Sequence, residues 1–185
     1  MKHFLTLSLC FLALSLSAYG QVPDYVPTEG LVGYWPLDGS AQDSGPLGLD
    51  GVVDGAVSSV NRFDMEQMAM SFDGTASITL PSHNFPNGLS VSIWIREDEV
   101  SGVNVFVSKY DGDTGGSDNS VSRTFSLYRH GESLGYRYYG TVSSQGQAFQ
   151  EFPSIASGST DWIHLVCVFG VGSVQYFVNG EFDSE

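Results

Sequence analysis

Short stretches of alternating apolar and polar residues recur along the chain, and glycine-rich turns separate them. Leu89 to Ile95 and Ile163 to Phe169 show this alternation. A repeat of two residues is typical of a strand with one buried face, and no long stretch repeats every 3.6 residues as a helix would. Together with 22 glycines, the pattern predicts an all-β sandwich or barrel. The predicted strands are Leu31 to Trp35, Ala69 to Phe72, Ser77 to Leu80, Leu89 to Ile95, Val103 to Ser108, Thr124 to Arg129, Leu134 to Tyr139, Ile163 to Phe169 and Val174 to Val178.

One hairpin can be given a register from the sequence. Residues 130–133 read His-Gly-Glu-Ser and favour a turn between two strands. Pairing across this turn places Leu127 opposite Tyr136 and Phe125 opposite Tyr138. We expect these four side chains to face the core.

The opposite face of the same hairpin carries Ser126, Tyr128, Arg137 and Tyr139. Aromatic rings offer a stacking surface, and the guanidinium and hydroxyl groups offer hydrogen-bond donors. We therefore predict that Tyr128, Arg137 and Tyr139 bind a ligand on a face that is open to water.

The N-terminus has the features of a secretory signal peptide. Lys2 precedes an apolar and hydroxyl run over residues 4–16, and the small residues Ala18 and Gly20 stand before Gln21. The run is shorter than the roughly 20 residues that a membrane span requires. We expect removal of this segment, export of the protein to the extracellular space or the cell surface, and no membrane insertion afterwards.

The chain then divides into three parts. Residues 1–20 are the predicted signal peptide, residues 21–29 are a proline-containing linker, and residues 30–185 form one domain. Cys167 is the one cysteine that remains after signal removal, so no intrachain disulfide is expected. The formal net charge of −14 argues against nucleic acid and anionic membranes as partners.

Four segments resemble the bacterial laminin-G-like, concanavalin A-like family. They are residues 30–57, which begin GLVGYWPLDGS, residues 71–74 (SFDG), residues 89–96 (LSVSIWIR) and residues 161–181, which contain DWIHLVCVF and VQYFVNGE. The resemblance implies a two-sheet antiparallel β-sandwich of the jelly-roll type. It also places Trp35, Phe72, Trp94, Trp162, Leu165 and Phe177 within strand motifs, and we predict that they contribute to the core.

The family normally continues beyond the VNG turn with strands that close the sandwich. This sequence ends at Glu185, and we expect the domain to lack its last strands. A strand at Leu31 to Trp35 would then lose a neighbour, which leaves backbone groups unpaired.

Acidic residues suggest one candidate metal site. Asp38, Asp43 and Asp50 lie in glycine-bearing turns, and calcium prefers oxygen ligands of this kind. The resemblance also implies a structural calcium near this segment. The alternative is that the aspartates hydrogen-bond their own turns. A second acidic group, Asp111 with Asp113 and Asp118, departs from calcium-loop spacing and favours a solvated loop.

Catalysis is the least favoured function. Glu181, Asp183 and Glu185 alternate as the carboxylates of some jelly-roll glycosidases do, but they directly follow a hairpin turn at residues 179–180. We predict a non-catalytic module that binds carbohydrate or an extracellular protein. The alternative is a structural or adhesive spacer within a larger surface protein.

The signal-peptide prediction can be checked directly. We expect exported protein to begin at Gln21, because the small residues at Ala18 and Gly20 fit a cleavage site. N-terminal sequencing of secreted material measures this. Retention of Met1 in a membrane fraction would contradict it.

Overall fold

The computed structural model describes residues 21–85, 88–98, 103–110, 123–130, 133–139, 147–151, 160–169 and 174–184. All the regular elements in these ranges are β-strands, as the sequence pattern predicted. The chain divides into two compact units, the first ending at Ser82 and the second beginning at His83. No helix in the described ranges is long and apolar enough to span a membrane.

The first unit contains two small antiparallel sheets. Strand β1 (Val52–Asp54) pairs with β4 (Ser77–Thr79), and β2 (Val57–Ser59) pairs with β3 (Ala69–Ser71). The predicted strands at Ala69 and Ser77 are thereby confirmed.

The turn before β4 is held by one carboxylate. Asp73 Oδ1 accepts hydrogen bonds from the Thr75 backbone N–H, from the Thr75 hydroxyl and from the Ala76 backbone N–H, at 2.9, 2.8 and 3.0 Å. These three hydrogen bonds, and most strongly the one from the Thr75 backbone N–H, lower the pKa of the Asp73 carboxyl. This is the turn that the SFDG motif forms.

The predicted strand from Leu31 to Trp35 is wrong, because this segment is irregular. Its backbone groups bond to a loop instead of to a neighbouring strand. The Tyr34 N–H donates to Asp43 Oδ1 at 2.7 Å, and the Tyr34 carbonyl accepts from the Ser44 N–H at 2.8 Å. A Cβ added at Gly45 would lie 2.7 Å from the Gly33 Cα, so the two chain segments meet where glycine alone fits.

The second unit contains eight strands in two four-stranded sheets. One sheet has the order β12, β11, β10, β5, and the other has the order β6, β7, β8, β9. All the pairings are antiparallel. The strands are β5 (Leu89–Ile95), β6 (Val103–Tyr110), β7 (Arg123–His130), β8 (Ser133–Tyr139), β9 (Gln147–Glu151), β10 (Ile163–Phe169), β11 (Val174–Val178) and β12 (Glu181–Ser184).

The two sheets pack face to face around an apolar core, so the unit is a β-sandwich. Strand β10 supplies alternate residues to this core, and β7 supplies residues from the facing sheet. The rings of Phe125 and Phe169 join the sheets, with centroids 5.5 Å apart. The buried members are Ile95, Phe125, Leu127, Ile163, Leu165, Cys167, Phe169 and Tyr176.

The predicted hairpin pairing is confirmed. Strands β7 and β8 pair Phe125 with Tyr138 and Leu127 with Tyr136, and Phe125 and Leu127 are buried as expected. The side chains of Tyr136 and Tyr138 lie outside the described part of the structure. Between β11 and β12, Asn179 and Gly180 have φ angles of 52° and 87°. Two successive positive φ angles are typical of the two-residue type I′ turn, for which Asn-Gly is the favoured sequence.

The core prediction is confirmed at Leu165 and wrong at four aromatic residues. Phe72, just after β3, is 47% exposed, and Trp94 on β5 is 40% exposed. Phe177 lies opposite Val166, and Trp162 precedes the buried Ile163, so both are half-buried on the outer face of the sheet. Trp35 is half-buried.

The single core thiol gives a pH-dependent prediction. Desolvation raises the pKa of Cys167 to about 12, and its side chain is fully buried. Above pH 9 an unfolded thiol loses its proton while the folded one keeps it, so this group lowers the free energy of unfolding as pH rises from 9 towards 12. We expect no reaction of native Cys167 with a thiol reagent at pH 8 and full reaction in denaturant.

The control is the pH dependence of stability in Cys167→Ala, which should decline less steeply above pH 9 than in the wild type. Rapid labelling of the native thiol would contradict the assignment of Cys167 to the core.

Candidate functional site

The outer face of the sheet β5–β10–β11–β12 carries a pair of stacked rings. Trp94 on β5 lies directly opposite His164 on β10. Their ring centroids are 4.9 Å apart and the rings are inclined by 11°. Ile163 and Leu165, the neighbours of His164 along β10, face the core and are buried. Alternation therefore places the stacked pair on the outer face.

Polar contacts fix the position of His164. Its Nε2 atom lies 2.8 Å from Ser92 Oγ, and the two groups share a hydrogen bond. Its backbone N–H donates to Asn179 Oδ1 at 3.0 Å, and its carbonyl accepts from the Asn179 N–H at 2.9 Å. The Asn179-Gly180 turn thus anchors the end of the strand that bears the imidazole.

A second aromatic and cationic pair extends the same face. Ile95 pairs with Ile163, so Arg96, which follows Ile95, and Trp162, which precedes Ile163, are neighbours. The Arg96 guanidinium carbon is 5.3 Å from the centroid of the Trp162 ring. Asp98 lies 3.4 Å from Arg96 Nε. Such a cation–π contact orients the guanidinium.

We call Ser92, Trp94, Arg96, Trp162 and His164 the outer-face cluster. Among the described strands, β5 is at the end of its sheet. His164 stacks on one face of the Trp94 indole, and the Trp94 side chain is 40% exposed. The cluster combines an exposed aromatic ring with a hydroxyl, an imidazole and a guanidinium, which suits recognition of a ligand with one apolar side and several hydroxyls.

Of the three predicted ligand residues, the structure describes the side chain of Tyr128. Tyr128 was expected on a face open to water, but its side chain is only 6% exposed, and the expected exposure is wrong at this position. Both Tyr128 and its neighbour Leu127 are buried, so β7 is covered on both faces there. The side chains of Arg137 and Tyr139 lie outside the described part of the structure. A binding role for these three residues stays a prediction.

Asp43 links three parts of its own segment. Its Oδ1 atom accepts from the backbone N–H groups of Tyr34 and Gly45, both at 2.7 Å, and its Oδ2 atom accepts from the Leu49 N–H at 2.7 Å. Asp50 Oδ1 accepts from the Asp43 N–H at 2.9 Å. Asp43 and Asp50 therefore hydrogen-bond their own turns, which was the alternative to metal binding.

The three aspartates of the candidate calcium site are not gathered at one point. Asp38 Oδ1 interacts with the Ser40 hydroxyl at 3.4 Å. Across the described ranges, no group of three or more His, Cys, Asp or Glu side chains is arranged to hold a metal ion. Asp111, Asp113 and Asp118 lie outside those ranges. Calcium binding at Asp38, Asp43 and Asp50 stays a prediction.

The alternating carboxylates near the chain end lie on an edge strand. Among the described strands, β12 pairs only with β11, and Phe182 lies opposite Phe177 with ring centroids 5.7 Å apart. Glu181 is exposed and Asp183 is half-buried. Glu185 lies outside the described residues, so the geometry of the three carboxylates is not defined.

Sequence reasoning missed the outer-face cluster although it named several members. Trp94 and Trp162 were assigned to the core on the basis of the strand motifs that contain them. The available signal was the alternation itself: in Ile163 to Phe169 the wholly apolar set is residues 163, 165, 167 and 169, which leaves His164 on the other face. Because Trp94 pairs with His164 across β5 and β10, it lies on the same face of the sheet.

The motifs from Phe72 onwards and the sandwich agree with a comparison against known families. Residues 72–185 match a laminin G family model described as concanavalin A-like lectin/glucanases superfamily. The chain belongs to this superfamily. Laminin G-like domains are usually non-catalytic binding modules, although the superfamily includes glycosidases. No curated protein and no solved structure gives a significant match to this laminin G-like chain.

The role of Asp43 can be tested by substitution. We expect Asp43→Ala to lower the free energy of unfolding by about 2 to 4 kcal/mol, because three backbone N–H groups lose a charged acceptor. Denaturant unfolding measures this change. Asp24→Ala, which removes an exposed carboxylate from the preceding segment, is the matched control, and equal effects of the two substitutions would contradict the linking role.

Proposed function

We propose that this chain is a non-catalytic carbohydrate-binding module of a secreted protein, and that the outer-face cluster is its ligand site. The observation that carries the proposal is Trp94, a large aromatic side chain that is 40% exposed and held in place by stacking on His164. Membership of a lectin and glucanase superfamily supports the ligand class. The signal-peptide pattern supports the compartment.

Stacking is the physical basis of the proposed recognition. An indole ring has a negatively charged face, and the C–H groups on one side of a pyranose ring carry partial positive charge. A sugar placed against the exposed part of the Trp94 indole would gain this attraction and remove apolar surface from water. The contact with His164 fixes the indole before binding, which reduces the entropy lost on complex formation.

Polar neighbours would supply the directional contacts. Arg96 and the Ser92–His164 pair flank Trp94 along the face, and their N–H and O–H groups match sugar hydroxyls as donors and acceptors. The net charge of −14 disfavours strongly acidic glycans. We therefore expect a neutral or amino-bearing saccharide.

The decisive substitution is Trp94→Ala. After a glycan array has identified a ligand, isothermal titration should show binding weakened by about tenfold or more, the scale expected when a central aromatic contact is removed. Trp94→Phe should retain part of the affinity, because a phenyl ring can still stack.

Two controls distinguish this face from others. Val105→Ala removes an exposed apolar residue of β6, in the other sheet, and should leave binding unchanged. Tyr139→Ala tests the face predicted from the hairpin. Loss of binding in Tyr139→Ala with full binding in Trp94→Ala would move the site to that face, and absence of binding to any glycan would favour the spacer role.

A further inference from the structure

The methionines of this protein are clustered and accessible. Apart from Met1, the chain has three methionines, and all of them fall within residues 65–70. Met65 is 45% exposed, Met68 is 42% exposed, and Met70 is half-buried. Methionine is ordinarily among the most buried residue types, so three accessible thioethers within six residues require an explanation other than core packing.

Hydrogen bonds fix the backbone of the loop that carries them. The Asn61 N–H donates to the Met65 carbonyl at 3.1 Å, and Asn61 Oδ1 accepts from the N–H groups of Phe63 and Met65 at 2.8 and 3.1 Å. The Met68 N–H donates to the Ser59 carbonyl at 3.1 Å. The loop between β2 and β3 is therefore ordered before any ligand arrives.

The direction of one side chain follows from strand β3. Ala69 is buried, with 8% of its surface exposed, so Met70, the next residue of the strand, points to the opposite side. Met68 directly precedes the strand and is exposed. Each methionine side chain has three rotatable bonds, so sulfur atoms of residues this close in sequence can approach one another. Gln67, with a φ of 60°, turns the chain between Met65 and Met68.

We propose that Met65, Met68 and Met70 form a binding site for a soft monovalent cation, with Cu(I) as the natural occupant. Thioether sulfur is a soft ligand that selects Cu(I) over hard cations such as calcium and magnesium. Asp64 and Glu66 lie beside the thioethers in sequence and are exposed, and their charge favours approach of a cation. The site shares no residue with the proposed carbohydrate site and does not depend on it.

The test uses Ag(I), which has the same charge and soft character as Cu(I) and does not change oxidation state under these conditions. The Cys10→Ala chain is labelled with ¹³C at the methionine ε-methyl groups, so that Cys167 is the one remaining thiol and is buried. We expect the methyl signals of Met65, Met68 and Met70 to shift together and to saturate at one equivalent of Ag(I), while the Met1 signal stays in place.

Single leucine substitutions assign the signals and test the ligands. Loss of one ligand should weaken Ag(I) binding by about tenfold or more, at least the scale seen for lost outer-shell partners of metal sites. Leucine keeps the apolar volume and removes the sulfur, so Met65→Leu, Met68→Leu and Met70→Leu should fold like the parent chain. The proposal is overturned if the three signals titrate independently, if more than one equivalent is needed, or if calcium shifts them equally.

A thiol control completes the design. In Cys10→Ala/Cys167→Val the methionine shifts should be unchanged. If they disappear in this variant, the silver ion was held by Cys167 and the methionine site does not exist.

Discussion

The alternation of strand β10 is the constraint on which the described sandwich depends. This strand pairs with β5 on one side and β11 on the other. Because side chains alternate along a strand, a shift of β10 by one residue would turn each of its side chains to the opposite face of the sheet. Ile163, Leu165, Cys167 and Phe169 are each at most 6% exposed. A one-residue slip would send this buried set to water and bring His164 into the core.

The same constraint creates the outer-face cluster. Because the inner residues of β10 fix its register with β5, Trp94 is held opposite His164, and Arg96 falls next to Trp162. The Asn179-Gly180 turn strengthens this arrangement, since Asn179 bonds to both backbone groups of His164. The site is therefore built on paired strands, whose positions the core determines, and not on a long loop.

Most of the fold could be predicted from the sequence, because alternation and turn residues are local signals. All but one of the predicted strands exist, and three of them have the predicted ends. The exception, Leu31 to Trp35, shows the limit: its apolar composition resembles a strand, but the Asp43 carboxylate bonds to its backbone from nine residues away. Four observed strands were missed: β1, β2, β9 and β12. In β1 all three residues are exposed, so no buried face marked it.

The candidate site was harder to predict, because it depends on which face a residue occupies and on what covers that face. Motif membership placed Trp94 in the core, whereas its register with His164 places it outside. The reverse error occurred at Tyr128, where alternation correctly gave the pairing but could not show that the second face of β7 is also covered. Pairing follows from local pattern, while exposure depends on residues distant in sequence.

The exposure of Trp94, which follows from the register of β10, can be measured in the intact chain. Incorporation of 5-fluorotryptophan gives one fluorine resonance for each of the three tryptophans, and Trp94→Phe assigns the resonance of Trp94. We predict that this resonance shifts most on transfer from H₂O to D₂O, because Trp35 and Trp162 are half-buried. A Trp94 shift smaller than those of the other two would contradict the placement of Trp94 on a face open to water.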